Sequence, residues 1–575
     1  MIKLSRFIKP FSLSVIIVLI LVFLQSLSDL YLPTLMADIV DKGVVTGNTD
    51  YIWKIGGFML LVAAVGMICS IAASFYSAKI AAGFGRLLRS KIFSHVSDFS
   101  LNEFDAIGTS SLITRTTNDI TQVQQVLIMI LRMMIMAPML CIGGIIMAAS
   151  MDLKLTLVLA VALPVLILAI ALIVKSGLPL FKAMQIKLDT LNRVLRENLT
   201  GIRVIRSFNK IEHEKKRFDK ANYDLTDTAI KVNKIMASLM PLMMIVLNLT
   251  SVAIIWFGGI RISNGHMQVG DLMAFIQYAM QIMFSLMMVS MMFVMIPRAS
   301  VSAVRINEVL DMMADIKDPV QEVSGNGRKG LVKFQNVDFS YPGAEIPALS
   351  NISFTMKPGE MTAVIGGTGS GKSTLINLIP RFYDTSSGKV LIDGVDVKDM
   401  NQKLVREKIG FVPQQAVLFT GTIAENIRYG KEDATDDEVR HAAEISQAAD
   451  FINSMTDGYE SIIAQGGTNV SGGQKQRLSI ARALVRKPKI YIFDDSFSAL
   501  DFKTDAKLRA ALKNETVDST VLIVAQRVST VMNADQIIVL DNGVISEIGT
   551  HKDLMKSSSV YREIVMSQMS EEESA

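Results

Sequence analysis

The run Gly366-Gly367-Thr368-Gly369-Ser370-Gly371-Lys372-Ser373-Thr374 decides how the second half of this 575-residue chain is read. Before it stands an apolar stretch, Met361 to Ile365, with the composition of a buried parallel strand. After it comes Leu375-Ile376-Asn377-Leu378-Ile379, the opening of a helix. Strand, glycine-rich loop and helix in that order are the context of a phosphate-binding loop. Glycines let successive backbone N–H groups turn toward phosphate oxygens, and the helix N-terminus adds a favourable dipole. Lys372 is expected to reach the outer phosphates, and the Ser373 hydroxyl to ligate Mg²⁺. The ligand implied is a nucleoside triphosphate.

Half of the residues are hydrophobic and only 19% are charged, against about 25% charged in soluble domains. The shortfall lies before residue 300, so the first half points to a membrane. A net charge of +4 gives no footprint for nucleic acid. Two cysteines, Cys69 and Cys141, both in apolar runs, exclude a disulfide framework and a cysteine-based metal site. The basic stretch Met1 to Pro10 leads into a full-length span without a small-residue cleavage pattern. It reads as an interfacial helix before an anchor, not as a removable signal.

Six stretches reach the roughly 20 residues a bilayer crossing needs. They are Phe11–Val40, Ile55–Phe84, Val123–Ser150, Leu155–Val174, Val232–Ile262 and Val269–Ile296. Basic residues crowd two long loops: Arg86, Arg89, Lys91 and Arg115 in the first, Lys182, Lys187, Arg193, Arg196, Arg203 and Arg206 in the second. Loops on the other side are short, Ser150–Lys154 being almost a hairpin. Both termini and both long loops are therefore expected in the cytoplasm. Apolar spacing in Leu188 to Leu195 is helical, so the membrane helices are expected to continue into the cytoplasm as hairpins. Ala299 to Gly330 changes character and ends in a polar run that reads as a linker. The alternating stretch Val332 to Tyr341 opens the soluble domain.

Ile490-Tyr491-Ile492-Phe493-Asp494-Asp495 reads as a buried strand ending in a carboxylate, with Asp494 placed to hold Mg²⁺ through water. Before it, Ser471-Gly472-Gly473-Gln474 forms a turn opening a helix, a second anion-binding N-terminus. Together these motifs resemble the ATP-binding cassette (ABC) family, in its exporters with fused membrane and ATPase halves. The resemblance covers nearly the whole chain. It implies a multidomain membrane protein: an all-α six-helix transmembrane domain (1–305), a linker (306–329), an α/β P-loop ATPase domain (330–569) and a tail (570–575). It implies that Tyr341 stacks on the adenine of ATP and that Gln414 touches Mg²⁺ and the γ-phosphate. It also implies that Asp501 lies in the loop at the seam of two cassettes. Each ATP in this family lies between one chain's phosphate loop and the other chain's serine–glycine turn. Asn102 to Gly108 and Gly201 to Asn209 resemble the family's coupling segments.

Two departures from the family pattern fall on the groups that handle the attacking water and the γ-phosphate. The general base, a glutamate in the family, is Asp495 here. Its side chain is one methylene shorter, leaving the carboxylate about 1 Å short, a misplacement that can cost on the order of 10²-fold in rate. The switch histidine is Gln526, whose amide can donate a hydrogen bond but carries no charge. None of His95, His213, His266, His441 and His551 replaces it by motif. Gln465-Gly466-Gly467 stands where exporters often carry a glutamate. Asp495 and Gln526 beside an intact Ser471–Gln474 turn suggest a chain that owns a slow site and completes a partner's. That asymmetry is similar to heterodimeric multidrug exporters.

In the membrane half, Arg132, Asp29, Gln25, Gln277 and Gln281 are candidates for lining a substrate pathway. The 35 methionines suit either an adaptable apolar surface or ordinary packing, and both readings stay open. The expectation is ATP-driven efflux of amphipathic small molecules across a plasma membrane, amid membrane lipid and without nucleic acid. A lipid or peptide exporter stands beside it. So does an ATP-gated channel or non-pumping regulator, against which the short termini and intact turn argue.

Overall fold

The computed structural model describes residues 2–319 and 330–568; most of the expected linker run 321–330 and the acidic tail 570–575 lie outside the described residues. The chain divides into two compact units, Met1–Ser97 with Thr109–Met312, and Asp98–Gly108 with Met313–Ala575. In chain order the helices of the first half are α1 (Ser12–Asp38), α2 (Thr49–Ser97), α3 (Leu101–Ile107), α4 (Thr109–Thr114), α5 (Ile120–Met151), α6 (Leu153–Thr200), α7 (Ile202–Ser207), α8 (Ile211–Ser263) and α9 (Val269–Asp311).

Six continuous helical stretches of the first unit, between 42 and 53 residues long, are apolar enough to cross a membrane. A helix bonds all its own backbone N–H and C=O groups, which is what hydrocarbon demands. About 20 residues suffice for the crossing, so each stretch continues well beyond the bilayer, as the helical spacing in the long loops suggested. The third stretch joins α4 to α5 through a π-helical segment, Arg115–Asp119. Helix α1 packs along α2, α5 along α9, and α6 along α8.

The turn between α5 and α6 is a single residue, Asp152, and its buried side chain determines the local geometry. One carboxylate oxygen accepts from Leu155 N–H at 2.9 Å and caps α6. The other receives Arg261, near the end of α8, at 2.7 Å from Nε and 2.6 Å from Nη2. One short side chain thus closes a helical hairpin and ties it to a third helix.

Helix α9 runs unbroken through Asp311, so residues 306–311, read above as the start of the linker, are helical. Ion pairs from Arg115 to Glu308 at 2.9 Å and from Lys3 to Asp311 at 2.7 Å hold that end. Ile306 and Val309 are buried and continue the helical spacing of α9, whereas most of the polar run 321–330 lies outside the described residues.

Among the described residues the second unit carries twelve strands: β1 (Val332–Phe339), β2 (Leu349–Met356), β3 (Met361–Ile365), β4 (Ser387–Ile392), β5 (Val395–Asp396), β6 (Ile409–Val412), β7 (Gly421–Thr422), β8 (Ile462–Ile463), β9 (Ile490–Asp494), β10 (Thr520–Val524), β11 (Gln536–Asp541) and β12 (Val544–Gly549). The main sheet has the order β12-β11-β3-β10-β9-β6, parallel from β11 to β6. Strands β9 and β10 are buried at every position, as a parallel sheet covered on both faces requires. A four-stranded antiparallel sheet, β2-β1-β4-β5, and the pair β7-β8 complete the unit.

Helix α3 belongs to this second unit although it stands between membrane helices in the sequence. Buried Glu103 explains the attachment, accepting from Ser100 N–H at 2.6 Å and Asp315 N–H at 3.1 Å. Burial alone would raise its pKa, but these hydrogen bonds win and hold the carboxyl below the usual glutamate range.

Replacing Asp152 by alanine removes a helix cap and leaves the largely buried Arg261 guanidinium without its partner. We expect Asp152→Ala to lower stability by about 2–4 kcal/mol, read as an earlier thermal transition in detergent. Asp152→Asn keeps the cap and is expected to lose less.

Candidate nucleotide-binding site

Parallel pairing brings three loops to one edge of the main sheet. Val524 on β10 stands opposite Val364 on β3 and Asp494 on β9. The chain leaving β3 is therefore beside the carboxyl end of β9 and the chain leaving β10. Between them lies a pocket of about 350 Å³, lined from one side by Thr368 to Thr374 and Tyr341, and from the other by Gln414, Asp494, Asp495 and Gln526.

The loop from Gly366 to Gly371 ends where Lys372 opens α10 (Lys372–Leu378). Gly371 has φ +97°, in the left-handed region that side chains resist. A Cβ on Gly366 would meet the Leu540 carbonyl oxygen at 2.1 Å, so only glycine lets the loop pass β11. The Lys372 ammonium donates to the carbonyls of Gly366 at 2.9 Å and Gly367 at 2.6 Å. Burial pulls its pKa down, partly offset by Asp495 and Asp494.

Asp494 is buried with Ser373 hydrogen-bonded to it. Burial pushes its pKa up, the Ser373 bond pulls it back, and neighbouring Asp495 pushes it further up. Asp495 is also raised by burial, against hydrogen bonds that favour its charged form. Two side-chain amides meet at one of its oxygens: Gln526 Nε2 at 3.0 Å and Gln414 Nε2 at 3.4 Å. Asp495 sits at φ +45°, a conformation aspartate adopts more readily than most residues.

This donor set fits a hydrated Mg²⁺ beside a polyphosphate. A serine hydroxyl, a carboxylate and an amide oxygen are hard oxygen ligands, too few to enclose the ion without phosphate and water. Among the described residues no trio of His, Cys, Asp or Glu side chains could hold a metal by itself. A lysine and the backbone N–H groups of a helix start face the same pocket and fit phosphate charge.

Tyr341 lies at the rim, its hydroxyl 3.0 Å from Thr374 Oγ1. The Ser471–Gln474 turn is not part of this pocket. Ser471 and Gly472 are exposed, and Ser471 caps the helix Gly472–Leu484 in a reciprocal pair with Gln474 at 2.8 and 3.3 Å. Asp501 is also exposed and outside the pocket, capping the helix Phe502–Glu515 through Thr504 N–H at 3.0 Å.

The chain matches the ABC transporter transmembrane region over residues 15–286 and the ABC transporter ATPase family over residues 349–498. An uncharacterized ABC transporter ATP-binding protein of Mycobacterium tuberculosis is 43% identical across 98% of this chain and 97% of its own length. A putative multidrug export ATP-binding/permease protein of Bacillus subtilis is 32% identical across 97% of each. The structure of a bacterial Atm1-family ABC exporter with ATP bound superposes with a TM-score of 0.80, at 26% identity over 97% of this chain and 98% of that one. This chain belongs to the ABC transporter family. It is an exporter, a multi-pass membrane protein whose cassette binds ATP and couples its hydrolysis to transport.

Two features of the exporter's cassette carry no motif. Tyr341 packs edge-on against Tyr383, whose hydroxyl donates to Asp105 on α3 at 3.2 Å. Burial and the facing carboxylate both push the Tyr383 phenol upward, so it stays a donor. Thr374, Tyr341, Tyr383 and Asp105 thus form one contact chain from the phosphate loop's helix to α3. The second feature is Gln568, whose amide brackets Arg527: Nε2 donates to Gln526 O at 2.8 Å, and Oε1 accepts from Val528 N–H at 2.9 Å.

In the membrane unit, Gln25 hydrogen-bonds Asp29, and Gln281 Nε2 donates to the Asp29 carbonyl at 2.9 Å. Among the described residues, Arg132, half-buried on α5, and Gln277, exposed on α9, make no hydrogen bond to this cluster. Three of the five pathway candidates come together.

Gln568→Ala is expected to raise hydrogen–deuterium exchange at the Val528 amide by about fivefold, since a net hydrogen bond contributes about 1 kcal/mol. Gln568→Glu, which retains the acceptor, should protect Val528 better than alanine does.

Proposed function

We propose that this chain is one half of a heterodimeric exporter of amphipathic small molecules, binding ATP at a slow site and completing its partner's fast one. The observation that carries this is the meeting of Gln414 and Gln526 on the shortened base Asp495, together with a Ser471–Gln474 turn, exposed at Ser471 and Gly472, that does not line the chain's own pocket. Similarity to a putative multidrug export protein supports the cargo class. Basic residues in the long loops support an ATPase domain and both termini on the cytoplasmic side of the plasma membrane.

Each residue has a derivable part in the site. Tyr341 supplies a ring at the pocket rim for an adenine. Backbone N–H groups of residues 369–374 and the Lys372 ammonium hold phosphate oxygens in line. Ser373, Asp494 and Gln414 hold Mg²⁺, which when bound draws charge from the phosphates. Asp495 is the group that must accept a proton from water. Its side chain reaches one methylene less far than glutamate, and neutral Gln526 contributes a hydrogen bond without a positive charge. Binding survives both changes because neither residue belongs to the phosphate loop, whereas proton transfer depends on both. Ser471 and the N-terminus of its helix face solvent, ready to cover the γ-phosphate of a second chain's ATP. The partner is inferred to carry the glutamate and the histidine.

ATP turnover by the purified chain in lipid nanodiscs, beside Asp495→Glu, tests this. The expected result is ATP binding with turnover on the order of 10²-fold below an intact exporter, restored only by a partner chain and lost again when Ser471→Ala is introduced into that pair. Brisk turnover by the unmodified chain alone would overturn the heterodimer reading.

A further inference from the structure

Outside the nucleotide pocket, a groove of about 670 Å³ runs along the paired helices α6 and α8. Its walls are apolar, with Val158 and Val161 on one side and Ala253 and Phe257 on the other. The hydroxyl of Thr250, the one neutral polar side chain in its lining, donates to Val246 O at 2.7 Å. That wall therefore presents no free donor.

One end of the groove differs. Lys154, second residue of α6, and Arg261, near the end of α8, both line it there, and no carboxylate lines the groove anywhere. Lys154 is exposed and makes no ion pair among the described residues. Arg261 is oriented by buried Asp152, which binds its Nε and Nη2, and among the described residues its Nη1 makes no hydrogen bond. Asp152 balances the Arg261 charge, so the mouth carries one net positive charge, from Lys154.

From Lys154 to Val165 the groove follows twelve residues of α6, a rise of about 16 Å at 1.5 Å per residue. Half of a bilayer's hydrocarbon core is about 15 Å thick. An apolar channel one leaflet long with cations at its aqueous end matches a lipid whose head is an anion. We propose that this groove holds an acyl chain of an anionic phospholipid, with the phosphate at Lys154 and Arg261, in the leaflet on the Asp152 side. The site is separate from the nucleotide pocket and does not depend on which chain hydrolyses ATP.

The test is native mass spectrometry of the full chain released from nanodiscs containing equal phosphatidylglycerol and phosphatidylcholine. The unmodified chain is expected to retain phosphatidylglycerol about fivefold over phosphatidylcholine, the value of about 1 kcal/mol per basic residue near a membrane surface. Lys154→Gln, at an exposed position, should keep a bound lipid and lose the preference. Ala253→Trp fills the groove and should lose the lipid itself. Equal retention of both lipids by all three proteins would overturn the proposal. So would an Ala253→Cys variant that cross-links efficiently to a second chain, since a protein segment would then occupy the groove.

Discussion

The nucleotide site depends on one register, the parallel pairing that aligns the carboxyl ends of β3, β10 and β9. Val524 faces Val364 on one side and Asp494 on the other, and the Asp495 N–H extends the pairing by donating to Val524 O at 2.9 Å. Strand β6 adds Val412 beside Phe493 and delivers Gln414 two residues later. Strand order differs from chain order, so four loops distant in sequence emerge side by side. Ligands of open parallel sheets gather at that edge. A one-residue slip would turn the strand side chains to the wrong face and move Asp494 off Ser373.

The same convergence sets the electrostatics. Two adjacent carboxyls and an ammonium share a partly buried pocket, and burial penalises the charged form of all three. Their mutual attraction only partly offsets this. Such a site is arranged for a ligand that brings its own charges, the phosphates for Lys372 and Mg²⁺ for the carboxylates. The left-handed backbone at Asp495 belongs to the same arrangement, since it turns the chain directly after β9, where the Asp495 carboxyl meets Gln414 and Gln526.

Local pattern carried most of this into the sequence. The phosphate loop, the strand ending in Asp494 and the Ser471 turn are each contiguous, so their chemistry could be read from spacing alone. Membrane helices were legible for the same reason, because twenty apolar residues have few alternatives in a bilayer. Their cytoplasmic length was less so. Residues 306–311 carry on the buried apolar spacing of α9 through Ile306 and Val309, but the ion pairs that hold this end come from Arg115 and Lys3, far away in sequence. Gln568 and Tyr383 carried no signal, since each acts through a backbone group or carboxylate that only the fold brings near. Arg132 illustrates the reverse: an arginine in an apolar span attracts attention, yet the polar cluster forms around Asp29 without it.

Helix α3 shows how such nonlocal contacts give the chain its mechanical logic. It lies between membrane helices in sequence, yet Glu103 anchors it to Asp315 and Asp105 meets Tyr383. From Tyr383 the path to the phosphate loop's helix needs one edge-on ring contact and one hydrogen bond. Each step is specific in direction, because a phenol donates only along its O–H and rings pack edge-on at a defined offset. Two contacts, the Tyr383–Asp105 hydrogen bond and the Tyr341–Tyr383 ring pair, link α3 to Tyr341, so a displacement at either end strains them. Coupling of this kind requires that the two ends prefer different arrangements. Tyr341, which faces both Thr374 and the nucleotide pocket, is the residue at which that preference would be set.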